Sequence, residues 1–116
     1  MFPVGDWQPI CYYICMILVV IRMNVLSEKR LELTQTLAAL SASIEMQKGC
    51  QRCDFCQSTE DENRLFVLEE WDSRKSLITH LKSKLFGVFR GAVYLLEGPY
   101  EIVFHTVGAA ARMEGT

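Results

Sequence analysis

Between residues 16 and 107 the chain switches repeatedly between strand and helix patterning, and the order of those switches narrows its possible folds more than any other feature. Met16 to Val25 is dense in Ile, Val, Leu and Met and ends in polar residues, as a strand does. From about Glu28 to Gln47, Leu33, Leu37, Leu40 and Ile44 recur at steps of three and four, which places them on one face of a helix. Ser27 is positioned to cap that helix, although Arg30 stands where a full capping box would carry Glu. Lys48 falls in its last turn and Gly49 ends it. Cys50 to Ser58 reads as a second strand, Thr59 to Asn63 as a polar turn, and Leu65 to Trp71 as a returning third strand. Asp72 or Ser73 caps a second helix that carries Leu77, Ile78 and Leu81 inward to about Ser83. Phe86, Val88, Phe89, Val93 and Leu96 continue through a short helical or irregular stretch. Gly98-Pro99 breaks it, and Tyr100 to Val107 makes the last strand.

The order is β-α-β-β-α-β, the split βαβ arrangement of an α+β, ferredoxin-like fold with an antiparallel sheet. Both helices then lie on one face of the sheet, and the other face needs a cover. A second copy supplies it most simply, which predicts a homodimer built as a dimeric α/β barrel. At 116 residues the chain is expected to hold one domain over 16–107, with an N-terminal extension at 1–15 and a tail at 108–116.

The net charge of -2 and the scatter of the basic residues argue against a nucleic-acid partner, which calls for a concentrated basic face. The apolar run Ile10 to Ile21 is shorter than the roughly 20 residues a membrane helix needs. Only Asp6 is charged before it and no small-residue cleavage site follows, so it reads as buried strand and not as signal or anchor. Cys11, Cys15, Cys50, Cys53 and Cys56 are an odd number, read as free thiols in a reducing cytoplasm. The CxxCxxC run invites a metal reading, with Cys11 or Cys15 as a fourth ligand. On a regular strand, however, Cys50 and Cys56 would share one face and Cys53 would take the other. No metal site is therefore expected.

The stretch Arg64-Leu65-Phe66-Val67-Leu68-Glu69-Glu70-Trp71-Asp72-Ser73, followed by Leu77 and His80-Leu81, resembles the strand-into-helix segment of antibiotic biosynthesis monooxygenase domains. Gly49-Cys50 is similar to the Gly-Cys that opens the family's second strand, and Phe86 and Phe89 to aromatics after its second helix. The resemblance runs from Met16 to about Val107. It implies a cofactor-independent oxygenation of a small quinol or related phenolic, since an electron-rich phenolate can itself pass an electron to oxygen. No dinucleotide fingerprint of the GxGxxG kind is present. The haem-degrading branch carries a ligating histidine near the position of Arg90 and an asparagine near Arg22, so the resemblance does not extend to haem degradation. A non-enzymatic module holding an aromatic ligand in the same pocket is the alternative.

Within that frame His80 is the leading base, because a histidine at the boundary of an apolar helix face titrates near neutral pH. Trp71 either walls an aromatic pocket or anchors the core. Glu69 shares its strand face and is either a pocket base or a carboxylate bonded at the sheet edge or dimer interface. Phe86 and Phe89 would wall the pocket. Arg22 and Asn24, on the strand face of Leu18 and Val20, either point into the sheet–helix cavity to orient a substrate oxygen or reach solvent. His105 has no partner legible in the sequence.

Overall fold

The computed structural model describes residues 10–12, 16–108 and 110–112. Its elements are β1 (Ile10–Tyr12), β2 (Met16–Asn24), α1 (Arg30–Glu45), β3 (Cys50–Gln57), β4 (Arg64–Trp71), α2 (Arg74–Leu81), α3 (Lys84–Gly91), β5 (Glu101–Val107) and β6 (Ala110–Arg112). Single 3-10 turns lie at Ser27–Lys29 and Val93–Leu95. Four strands form one antiparallel sheet in the order β3-β4-β2-β5, the topology expected of the split βαβ arrangement. The apolar run at 10–21 is divided between β1, which pairs with β6, and the central strand β2. No described helix is long and apolar enough to cross a membrane.

Alternation decides what each sheet face carries. On β2, Ile17, Val19, Ile21 and Met23 are buried beneath the helices, while Leu18, Val20, Arg22 and Asn24 take the opposite face. On β4, Leu65, Val67, Glu69 and Trp71 are buried and Phe66, Leu68 and Glu70 alternate with them. The helix-side residues meet Leu33, Leu37, Leu40 and Ile44 of α1 in a single core.

Several local expectations are corrected. Ser27 does not cap α1, because it lies in the preceding 3-10 turn and accepts a hydrogen bond from Asn63 Nδ2 at 2.9 Å. The second helix stops at Leu81, where Ser83 starts α3 by accepting from the Phe86 amide. Ile78 is exposed, because Leu77 and His80 occupy the inward positions of α2. The cysteine phasing also differs: β3 carries a bulge at Gln51, so Cys50 pairs with Trp71 and Cys53 with Glu69. Cys50 and Cys53 therefore share the helix side, and Cys56, opposite Phe66, takes the other face. Among the described residues no group of three potential ligands comes together.

Candidate active site

Two neighbouring strands and two helices converge at the Trp71 end of β4. Gly49 closes the path from α1 into β3 at φ +88, and its carbonyl accepts from the Asp72 amide at 2.8 Å. A Cβ there would lie 2.3 Å from Ser76 Oγ and 2.7 Å from Asp72 Oδ1, so the start of α2 is held directly against this turn. Ser73 caps α2 by accepting from the Ser76 amide at 3.1 Å. Fixed in this way, α2 brings His80 over Trp71, the two rings stacking with centroids 4.7 Å apart. Phe86 of α3 meets the His80 ring edge-on at 5.7 Å, and Phe89 and Tyr100 extend the aromatic row.

Glu69 and His80 are both only 2% exposed. The Trp71 indole N–H donates to Glu69 Oε1 at 2.8 Å. His80 Nδ1 lies 2.6 Å from Gln47 Oε1. An amide oxygen can only accept, so Nδ1 carries the hydrogen, and in the neutral ring Nε2 is a bare lone pair. Nε2 is 3.8 Å from Glu69 Oε1 and has no hydrogen-bond partner among the described residues. Burial pushes the His80 pKa down to about 4, so the ring is neutral at pH 7. Burial also pushes the Glu69 carboxyl above its ordinary range, and the Trp71 donor draws it partly back.

A cavity lies beside this group, between α1, α3 and the sheet. Ile21, Leu37, Leu40, Ser41, Ile44, Val67, Glu69, Phe86 and Phe89 line it. Glu69 is the one ionisable group among them. His80 and Trp71 lie behind Glu69 and do not line the cavity, so Trp71 serves here as a core anchor. Glu69 is also not at a sheet edge, since β4 is an interior strand. The cavity's volume is about 10 Å³, room for one water molecule at most. Burial pushes the thiols of Cys50 and Cys53, on the same side of the sheet, up to about 11 and 12, so both are protonated at neutral pH.

Arg22 and Asn24 are not part of this group. Both are exposed on the far side of the sheet, because alternation from the buried Ile21 and Met23 turns them away from the helices. With Arg64, Phe66, Pro99 and Glu101 they line an open groove of about 560 Å³, where the Arg22 guanidinium lies 5.7 Å from the Phe66 ring centre. His105 lies on the same face, opposite Leu18. Gln47, which fixes the His80 tautomer, was not legible in the sequence. It follows the end of α1 and meets His80 across 33 residues of chain, and no local pattern announces that contact.

Residues 16–92 match the family profile of antibiotic biosynthesis monooxygenases. The chain belongs to that family. Solved structures agree with the assignment of fold. A conserved protein from Methanosarcina mazei Go1 superposes with a TM-score of 0.75 at 28% identity, over 80% of this chain and 93% of that one. A candidate antibiotic biosynthesis monooxygenase from Nitrosomonas europaea gives 0.76 at 18% identity, covering 83% and 93%. One from Deinococcus radiodurans gives 0.78 at 17%, covering 85% and 99%. No curated protein matches the chain. Within the family, the Glu69–Trp71 spacing and His80 mark the segment by which this chain resembles it, and the structure brings those three side chains together.

Proposed function

We propose that the protein is a cofactor-independent monooxygenase of a small, electron-rich aromatic hydroxyl compound, a quinol or anthrone. One observation carries this reading: a single buried carboxylate, Glu69, faces a phenylalanine-walled cavity whose other lining residues are apolar except Ser41. Such a site excludes water and offers one base, which is what an autoxidisable phenol requires of a protein. Removing the hydroxyl proton leaves a phenolate that reduces oxygen directly. For an anthrone, the ring CH₂ becomes C=O and the second oxygen atom leaves as water.

The small cavity requires the substrate to displace Phe86 and Phe89, the only lining residues contributed by α3. That closure also favours the second reading, an aromatic-ligand module that binds without turnover. Oxygen uptake with a panel of quinols and anthrones, autoxidation subtracted, separates the two. Protein-dependent uptake that falls at least tenfold in Glu69→Gln supports the oxygenase. Saturable binding with no uptake above background replaces it with the binding module.

The protein is further proposed to work as a cytoplasmic homodimer. The open sheet face has an apolar centre of Leu18, Val20, Phe66, Leu68 and Val103, none of them buried in one chain. Arg22, Arg52, Arg64, Glu70, Glu101 and His105 surround it, the usual anatomy of an apolar interface core with a polar rim. Arg22 and Asn24 belong to that rim in this reading.

A further inference from the structure

We propose that Glu69 and His80 form a two-site relay, in which Glu69 takes and holds the substrate proton and the unpartnered Nε2 of His80 accepts a hydrogen bond from the resulting acid. This rests on the oxygenase reading for its substrate, though the relay itself can be tested without one. The geometry assigns the roles. Glu69 lines the cavity and His80 does not, so only the carboxylate can touch a ligand there. Behind it, Gln47 Oε1 holds Nδ1–H at 2.6 Å, which leaves Nε2 as an acceptor 3.8 Å from Oε1. A buried ring nitrogen with no partner among the described residues is unusual in a folded protein, because desolvating a polar atom without a hydrogen bond is costly. A short movement of either side chain would turn that gap into a hydrogen bond.

The step balances. A substrate hydroxyl gives its proton to the Glu69 carboxylate, and the O–H electron pair stays on the phenolate oxygen. The protonated carboxyl then donates to the Nε2 lone pair, which holds the acid in place while the ring stays neutral. The phenolate gains the charge that Glu69 loses, so the buried site keeps the same net charge throughout. That matters where every uncompensated charge is costly. His80 is thus a positioning residue, and Glu69 is the catalytic one.

The other groups facing the pair do not supply the proton. Cys50 and Cys53 of β3 are protonated thiols, pushed up to about 11 and 12. Glu45 of α1 accepts from the Cys53 amide at 3.1 Å, and Arg90 of α3 lies 5.4 Å from the centre of the Phe86 ring. Trp71 donates to Glu69 and has no proton to exchange in this range.

Nitrogen-15 NMR of the imidazole, on ligand-free protein, tests the relay. At pH 7 the relay requires the Nδ1–H tautomer with Nε2 unprotonated, and an Nε2–H tautomer overturns it. On acidification, the ring should respond to the first protonation of the pair. Glu69→Gln should remove that response, because the amide cannot take up a proton. A ring that still responds at the same pH in that variant overturns the relay. Gln47→Met keeps Glu69 and removes the acceptor for Nδ1–H, so it should shift the ring toward Nε2–H donating to Glu69. A ring still held as Nδ1–H in that variant counts against the relay as well. Oxygen uptake is measured separately, so a relay that titrates as described in a protein without uptake would sink the oxygenase reading alone.

Discussion

At the residue scale, Glu69 and His80 oppose each other in their effect on stability against pH. His80 titrates near its ordinary value when unfolded and near 4 when folded, so the unfolded chain binds more protons between those limits. Stability should therefore fall as pH drops from about 6.5 to 4, by roughly 3 kcal/mol if nothing compensates. Glu69 has the reverse sign: its folded pKa is raised, so its protonated form favours the folded state and that contribution fades as pH climbs through the raised value. Urea midpoints across pH 4–7 should show a His80→Gln variant losing the acid-side decline. A Glu69→Gln variant should gain relative stability toward neutral pH. Gly49 offers a purely steric test. Gly49→Ala adds a Cβ within 2.4 Å of Ser76 Cβ at a left-handed φ, and should cost about 2–4 kcal/mol in chemical unfolding. Trp71, Glu69 and His80 were legible from their spacing on strand and helix. Their roles relative to the cavity were not, because alternation tells which face a residue takes but not which neighbour covers it.

Among the elements, α2 and α3 show most plainly what periodicity can and cannot deliver. The stripe Leu33, Leu37, Leu40, Ile44 fixed the buried face of α1 in advance. The eight-residue helices α2 and α3 each offer too few turns for a comparable stripe, so Ile78 was assigned inward while His80 held that place. The start signal of α2 is readable, and Ser73 does cap it, whereas Ser83, which starts α3, reads from the sequence as the end of α2. Ser73→Ala should lower stability by about 1 kcal/mol, and, because α2 carries His80, should broaden the His80 NMR signals. The bulge in β3 was invisible, since nothing in Cys50-Gln51-Arg52 distinguishes an extra residue from a regular strand, and with it went the phase of the cysteines. For α3, Phe89→Ala should enlarge the cavity at a cost of about 3–5 kcal/mol. Part of that loss should return, as a rise in Tm, when a small aromatic such as indole is added. A variant whose Tm ignores the additive would place the ligand site elsewhere.

For the whole molecule, the β-α-β-β-α-β order followed from the sequence because each hydrophobic period was bounded by a clear break. The uncovered face of the sheet follows from that order and predicts assembly. Light scattering at micromolar concentration should give twice the chain mass of 13.3 kDa. Leu68→Asp, placed at the centre of the open face, should return the monomer with the core intact; a wild-type monomer would remove the dimer from the proposal. Strand β4 links these scales. Its even- and odd-numbered residues belong to different enterprises: Leu65, Val67, Glu69 and Trp71 serve the enclosed side, and Phe66, Leu68 and Glu70 the open side. A slip of one residue against β2 would exchange the two sets completely, turning Glu69 outward and Leu68 inward. The enclosed cavity and the open face are thus written on one ribbon in opposite phase, and a variant chain could not shift the reading frame of either without erasing both.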